Sequence, residues 1–215
     1  MGRKVILILA VVGIFVMPGQ GNATLILVAD HTFNGSNPSG PASWLKATFN
    51  NSGTDSVTLT LSASGLQGGE FVSNWYFNFG PNTPNTTLPP LEFAQTPTQA
   101  PTATVGTGVN AFKAGSDGYY DIKFSFPTNS QDRFTSGKEA KFTIIGTGIT
   151  ADSFRFLSSS SAFPYLAAAH IQGISNSGGS WVSFSQVPIP PSFILLGSGL
   201  LGMIMIGFRR KFHNS

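Results

Sequence analysis

Short segments in which every second residue is apolar recur through the middle of the chain, and they constrain its fold more than any other feature. The most regular segment is Ser56 to Ala63, in which four apolar residues alternate with serine and threonine: Val57, Leu59, Leu61 and Ala63. A period of two places the apolar side chains on one face of a strand and the polar ones on the other. This pattern predicts sheets with one face on a core and excludes a helical bundle.

A neighbouring segment has the same period. Leu45, Ala47 and Phe49 alternate with polar residues, and the residues Asn50 to Gly53 that separate the two segments are typical of turns. We therefore expect an antiparallel pair. Further strands are predicted at 25–33, 71–79, 120–126, 140–144, 153–157, 165–171 and 181–185, with at most one turn of helix after Thr150. Eight or nine short strands predict an all-β fold, a single β-sandwich or jelly roll.

One segment interrupts this pattern. Residues 80–108 contain six prolines and eight threonines in 29 positions. Proline cannot donate a hydrogen bond to a strand ladder, so most of this segment is expected to be loop or sheet edge. We interpret it as an insertion within one domain, residues 24–187.

Charge argues against nucleic acid as a partner. The formal net charge is +3, but five of the twelve basic residues lie near the two ends: Arg3, Lys4, Arg209, Arg210 and Lys211. Residues 24–187 keep seven basic and nine acidic side chains, a net charge of −2. No basic patch remains for DNA or RNA. Cysteine is absent, which excludes a disulfide framework, a thiolate nucleophile and a zinc ribbon.

The N-terminal residues 1–23 have the organisation of a secretory signal peptide. A positive start, Arg3 and Lys4, precedes the apolar stretch 5–17, and the small residues Gly21 and Ala23 follow. This order predicts cleavage by signal peptidase after Ala23. We therefore expect an exported protein.

The C-terminal residues 188–215 are predicted to contain a transmembrane helix. Residues 192–208 are uncharged and long enough for the lower limit of a membrane span, and the basic residues Arg209, Arg210 and Lys211 follow at once. Basic residues beside a span stay in the cytoplasm, so the preceding domain is expected outside it.

The order of Val187, Pro188 and Pro190, a glycine-rich apolar helix and a basic end resembles the PEP-CTERM sorting signal of Gram-negative bacteria. One position departs from the family pattern, because Ile189 stands where a glutamate separates the prolines. The resemblance implies recognition by a membrane-embedded exosortase, cleavage near the proline motif, and an inner-membrane intermediate before release or attachment at the cell surface. The alternative interpretation is a plain C-terminal membrane anchor. Three internal stretches, 44–47, 71–79 and 168–174, also resemble secreted proteins of this group.

Two aspartates are the candidate metal ligands. Asp117 and Asp121, with Asn129 and Asp132 nearby, could supply oxygen atoms to calcium if a loop brought them together. Solvated turn carboxylates are the favoured interpretation, and a calcium site is the alternative. No cofactor is predicted. His170 shares strand parity with Leu166 and Ala168, which favours a partly buried, hydrogen-bonded structural histidine.

Aromatic residues are the candidate ligand-binding groups. Trp44, Trp75 and Trp181 could stack on sugar rings if they were exposed, and four tyrosines accompany them: Tyr76, Tyr119, Tyr120 and Tyr165. Half-buried packing is the favoured interpretation, and a sugar-binding face is the alternative.

No Gly-x-Ser-x-Gly nucleophile elbow is present. The sequence therefore favours an exported, non-enzymatic protein of the cell surface or of an exopolysaccharide biofilm matrix. The alternatives are a carbohydrate-binding module and a secreted hydrolase with paired carboxylates.

Overall fold

The structure is a computed structural model that describes residues 23–80, 87–175 and 178–188. Within these ranges the chain forms eleven β-strands and one 3-10 helix. The strands are β1 (Thr24–Asn34), β2 (Leu45–Gly53), β3 (Ser56–Ser62), β4 (Phe71–Phe77), β5 (Glu92–Thr96), β6 (Thr104–Lys113), β7 (Tyr119–Ser125), β8 (Phe134–Thr135), β9 (Glu139–Ile145), β10 (Ala167–Gln172) and β11 (Gly179–Gln186); the 3-10 helix is Ala151–Phe154.

The strands form one continuous antiparallel ladder in the order β5-β9-β3-β2-β1-β11-β10-β4-β7-β6, and the short β8 pairs with β4. The expected all-β fold is confirmed. The number of strands in the described ranges is eleven, more than the eight or nine predicted, and they belong to a single sheet.

The sheet curls until its two end strands approach each other. β5 and β6 lie at opposite ends of the ladder, yet only residues 97–103 connect them. The side-chain amide of Gln95 in β5 donates from Nε2 to Pro101 O at 2.9 Å and accepts at Oε1 from Ala103 N at 2.8 Å. The ring of Phe93 in β5 lies 5.7 Å from that of Phe124 in β7. One half of the sheet therefore packs against the other.

The buried side chains between these halves form the main core, and the predicted β2–β3 pair contributes directly to it. Leu59 and Leu61 of β3 are fully buried, as the alternation predicts, and Leu59 pairs with Phe49 of β2. The Phe49 ring contacts Phe77 of β4 edge-on, with 5.3 Å between centroids. Full burial of one such side chain is worth roughly 1.5–3 kcal/mol.

The turn between β2 and β3 differs from the prediction by a few residues. β2 continues to Gly53, and the chain reverses at Thr54 and Asp55. Asp55 adopts a left-handed φ of 57°, and its Oδ1 accepts from Gly148 N at 2.6 Å. The expected turn at 50–53 is wrong because Asn50 and Asn51 pair with β3 inside the ladder.

The helical turn predicted after Thr150 is confirmed, whereas the strand predicted at 153–157 is wrong. Thr150 N donates to Ser153 Oγ at 3.1 Å at the start of the 3-10 helix. Phe154 then stacks on Phe49 with 4.3 Å between ring centroids. Phe154 thus reaches the main core from the 3-10 helix and not from a strand.

The proline-rich segment 80–108 supplies edge strands, as expected. β5 and the first part of β6 belong to it, and they form the two ends of the ladder. An edge strand tolerates neighbouring prolines because one side of it needs no ladder partner.

In residues 23–80, 87–175 and 178–188 no helix is long and apolar enough to cross a membrane. Residues 1–22 of the predicted signal peptide and the apolar segment 192–208 lie outside these ranges.

Candidate functional site

The outer face of the sheet, opposite the main core, is apolar where β11, β10 and β4 lie side by side. Tyr76 of β4 pairs with Ala168 of β10, and both side chains are buried in a second cluster, separate from the main core. Trp181 of β11 pairs with His170 of β10 and is half-buried on the same face. Two loops cover this part of the sheet.

The first loop, which we call the β6–β7 loop, comprises residues 114–118. It is a tight turn in which Asp117 N donates to Ala114 O at 2.9 Å and Ala114 N donates to Gly118 O at 3.3 Å. Gly115 has a φ of 54°, and a Cβ at this position would lie 2.9 Å from carbons of the Trp181 indole. Glycine therefore allows the loop to lie directly against the tryptophan ring.

The second loop, which we call the Phe163 loop, runs from Ser158 to Tyr165 and is closed at its base. Ser158 N donates to Tyr165 O at 2.8 Å, and Tyr165 N donates to Ser158 Oγ at 3.1 Å. Tyr119 and Ser159 form a two-bond antiparallel bridge that joins this loop to the start of β7. Phe163 lies near the tip and is 76% exposed.

Five rings under and beside these loops form a continuous strip, which we call the outer aromatic face: Phe33, Tyr76, Tyr120, Tyr165 and Trp181. Phe33 stacks on Tyr165 at 5.3 Å between centroids and lies 6.4 Å from Trp181. Tyr76 lies 5.6 Å from Trp181 and 5.9 Å from Tyr120. These separations are those of favourable aromatic pairs. Burial raises the pKa of Tyr76 to about 12, so its hydroxyl stays protonated.

A period of two over the predicted strand 120–126 places Tyr120 on the same face as Ile122 and Phe124, but the structure places it in the second cluster while the other two lie in the main core. The β6–β7 ladder is irregular at this point, with a register shift between Thr107 and Phe112. A period of two does not assign faces across such an irregularity.

The Tyr120 hydroxyl donates to Asp117 Oδ2 at 2.6 Å in a buried hydrogen bond. Burial first, and then this hydrogen bond, raise the pKa of Tyr120 above its usual value. Asp117 itself is 5% exposed, and its Oδ1 has no hydrogen-bond partner. The favoured interpretation of Asp117 as a solvated turn carboxylate is therefore wrong.

Asp121 is buried as well, and its carboxylate holds two backbone N–H groups. Oδ2 accepts from Phe79 N at 3.0 Å, and Oδ1 accepts from Asn110 N at 2.8 Å. Asp132, in contrast, is exposed and accepts from the side chain of Asn129 at 3.0 Å. Across the described part of the chain, no three His, Cys, Asp or Glu residues are grouped to hold a metal ion. The proposed calcium ligands Asp117 and Asp121 are thus occupied separately by a tyrosine and by backbone groups.

Two of the three candidate tryptophans lie in the main core, which corrects their assignment as sugar-stacking groups. Trp75 is fully buried, because β4 is covered on both faces, and its ring lies 5.4 Å from Phe184. Trp44 is 3% exposed, and its Nε1 donates to Gly40 O at 2.8 Å. Of the three, Trp181 alone lies on the outer aromatic face.

His170 has the structural role that its position on the strand predicted. Its ring stacks on Trp181 at 4.5 Å, and Ser73 Oγ lies 3.0 Å from Nδ1. Burial lowers the pKa of this imidazole, which favours its neutral form.

A pocket of about 260 Å³ opens between the end of β1, the β6–β7 loop and the Phe163 loop. Thr32, Phe33 and Phe163 line it together with Asp117 and Tyr165. Sequence reasoning missed the first three. The sequence around Phe163 does contain a signal for a loop. This phenylalanine stands beside a proline in a serine-rich segment and has no alternating apolar neighbours that would place it in a strand.

The two predicted processing points lie on the margins of the described domain. Ala23 O accepts from Asn51 N at 3.1 Å, and Val187 N donates to Ile26 O at 2.9 Å. Pro188 is exposed. Four further predicted processing residues lie outside the described ranges: Pro190, Arg209, Arg210 and Lys211.

No protein-family model, no curated protein and no solved structure matches the chain.

Proposed function

We propose that this chain is the precursor of an exported, non-enzymatic protein of the cell surface or of an exopolysaccharide biofilm matrix, and that signal peptidase and an exosortase process it. One observation carries the proposal. β1 begins at Thr24, the residue after the proposed cut at Ala23, and β11 ends at Gln186, directly before the motif that starts at Val187. The folded unit thus fills the interval between the two proposed sorting signals.

The position of the two ends supports this arrangement. Leu27 of β1 pairs with Gln186 of β11, so the first and last strands are neighbours in the ladder. Removal of residues 1–23 and of the chain from Ser192 onward would leave all eleven described strands in place. Both enzymes would therefore act beside the sheet, and removal of residues 1–23 would cost it the hydrogen bond from Asn51 N to Ala23 O.

We also infer that the curled sheet is a distorted β-sandwich of the kind expected from the sequence. Its two layers would be β5-β9-β3-β2-β1 and β11-β10-β4-β7-β6. Ring contacts between the layers support this description: Phe49 of β2 meets Phe77 of β4, and Phe142 of β9 lies 4.7 Å from Phe124 of β7.

Among the described residues three carboxylates are buried, and the environments of two of them, Glu70 and Asp121, support a non-enzymatic role over a secreted hydrolase. Glu70 is 2% exposed and accepts backbone N–H groups of Ser39 at 2.7 Å and Gln67 at 2.9 Å. The two oxygens of Asp121 are occupied in the same way. Carboxylates held by backbone donors fix loops, whereas a hydrolase needs a pair that faces its substrate.

Intact mass of the protein recovered from exosortase-containing cells tests the proposal. The wild-type product should lack residues 1–23 and the chain from Ser192 onward. Replacing Arg209, Arg210 and Lys211 by Asn should leave the C-terminal segment uncleaved. A matched control replaces three exposed lysines by Asn and should be processed normally: Lys46, Lys113 and Lys141. Recovery of wild-type protein with its C-terminus intact would favour the plain anchor instead.

A second candidate, a carbohydrate-binding module, is supported by the outer aromatic face. Trp181, Tyr165 and Phe33 lie there outside the main core, beside a pocket that contains hydroxyl and carboxylate groups. Binding of the full chain to a glycan array would support this function, and the absence of binding to any glycan would leave the structural role alone.

A further inference from the structure

The pocket beside the outer aromatic face has apolar walls, and two of its lining residues carry buried oxygen atoms that have no hydrogen-bond partner. Residues 31–33 of β1 form one side, the β6–β7 loop forms a second, and the Phe163 loop forms the third. Pockets for drug-sized ligands usually measure about 300–1,000 Å³, so a volume of about 260 Å³ suits a ligand of a single ring.

Two residues that line this pocket carry a buried oxygen without a hydrogen-bond partner: Thr32 Oγ1 and Asp117 Oδ1. Only two other buried side-chain atoms of the described residues are in this state, Trp75 Nε1 and Asn78 Oδ1. Buried polar atoms of native proteins are nearly always paired, and an unpaired one requires an explanation. Both atoms are closed to solvent, so a ligand hydroxyl group reaches them only when the loops beside them move apart. A ligand that brings hydroxyl donors would then supply the missing partners.

The aromatic wall defines the other half of the ligand. Phe163 is 76% exposed, although a large apolar ring gains nothing from solvent. Tyr165, at the end of the Phe163 loop, stacks on Phe33 with 5.3 Å between ring centroids. Supported rings of this kind present flat apolar surfaces, and the C–H face of a pyranose is the complementary surface on a molecule rich in hydroxyl groups.

The charge of the pocket lining distinguishes neutral from acidic sugars. The lining contains the Asp117 carboxylate and the His31 imidazole but no lysine or arginine. In the part of the chain that the structure describes, the one ion pair joins Arg155 to Asp152, so Asp117 has no ion-pair partner there. A uronic acid or a phosphate would bring a second negative charge close to the Asp117 carboxylate.

We propose that this pocket binds one neutral pyranose residue, with its C–H face against Phe163 and Tyr165, and that on binding the loops move enough for its hydroxyl groups to donate to Asp117 Oδ1 and Thr32 Oγ1. The proposal rests on the second candidate function, carbohydrate binding, and assigns it a place and a sugar class. Trp181 acts behind the pocket by supporting Phe33, with which it is in ring contact at 6.4 Å.

Saturation-transfer difference NMR on the full chain tests the proposal, because it detects weak binding of a single sugar. The chain is held in a zwitterionic detergent, since alkyl glycoside detergents would compete for the pocket. Glucose, galactose and mannose are the neutral probes, and glucuronate is the acidic one. We expect transfer to C–H protons of at least one neutral sugar and none to glucuronate. Absence of transfer to every neutral sugar, or a stronger signal from glucuronate, would overturn the proposal.

Two variants locate the binding site, and a third serves as the control. Phe163→Ala removes an exposed wall, and Thr32→Val removes one acceptor while keeping the branched shape. Each should weaken binding about tenfold, the usual scale for one good contact. Ile145→Ala truncates another exposed apolar side chain, 46% exposed and on β9 away from the pocket lining, and should leave affinity unchanged.

The response of stability separates ligand binding from a purely structural role. Thr32→Val should retain or raise the unfolding midpoint, because it deletes a buried atom that has no partner. If a neutral sugar binds but Phe163→Ala and Ile145→Ala bind it equally, the pocket is wrong while the carbohydrate-binding function stands. If Thr32→Val binds normally, the acceptor role of Thr32 Oγ1 is wrong.

Discussion

The main core and the outer aromatic face are both rich in aromatic rings, but they are built differently. The main core is formed by strand residues that alternate in the sequence, such as Leu59 and Phe142, and these are buried almost completely. The outer aromatic face depends on two loops, a register shift in the β6–β7 ladder and half-buried rings such as Trp181. The comparison shows that one region is built for burial, while the other keeps rings and unpaired oxygens beside an opening.

The difference extends to how each region should respond to change. Truncation in the main core leaves a cavity enclosed by both halves of the sheet. Truncation on the outer face loosens loops that are held by a few hydrogen bonds, such as the bridge between Tyr119 and Ser159. Loops of this kind open locally at much lower free energy than a core strand.

The largest effect is expected in the main core. Leu59→Ala should lower the free energy of unfolding by about 2–5 kcal/mol, because it removes a fully buried side chain from between the two halves of the sheet. Thr60→Ala, on the opposite face of the same strand, should cost less than about 1 kcal/mol. Denaturant titration of both variants checks this, and equal losses would contradict the assignment of faces on β3.

An intermediate effect is expected where the two loops meet. A Cβ on Gly118 would lie 2.0 Å from the carbonyl oxygen of Ser159, a backbone atom that cannot simply rotate away. Gly118→Ala should therefore cost about 1–3 kcal/mol and separate the Phe163 loop from β7. Hydrogen exchange at Tyr119 and Ser159 reports the separation.

The matched control for this change is Gly69→Ala, since no atom lies within 4 Å of a Cβ there. Its exchange rates should equal those of the wild type. Unchanged protection of Tyr119 in the Gly118 variant would show that the bridge does not hold the two loops together.

The smallest effect concerns pH. Burial against Trp181 lowers the pKa of His170 from 6.5, so the unfolded chain binds a proton at this residue more readily than the folded chain does. The contribution of neutral His170 to the free energy of unfolding is complete above pH 6.5. It is lost as the pH falls from there toward the pKa of His170 in the folded state. His170→Gln should show a smaller loss of unfolding free energy between about pH 7.5 and 5.5 than the wild type. An identical loss in both proteins would contradict the burial of a neutral imidazole.

The sequence was informative where burial alone decides the structure. The β2–β3 pair, the inward positions of β9 and the edge character of the proline-rich segment all followed from alternation and from proline chemistry. Each depends on residues that are close together in the chain, so a local pattern contains the necessary information.

The site was less predictable because it depends on which of two faces is covered. Trp75 and Trp181 are both strand residues with similar neighbours, yet one lies in the main core and the other on the outer face. The pocket unites residues 32, 117 and 163, which only the long-range strand order brings together. Composition indicated aromatic binding groups but could not show which rings remain accessible.

Hydrogen exchange of the full chain, measured with and without a saturating neutral monosaccharide, tests the division between main core and outer face most directly. Amides of β3 and β9 should exchange slowest and respond little to the sugar. Four backbone amides in and beside the two loops should exchange faster through local opening, and the sugar should slow them selectively: Asp117, Tyr119, Ser159 and Tyr165. Equal exchange in both regions would contradict the structural division, and sugar that slows none of the loop amides would contradict the role assigned to the outer face.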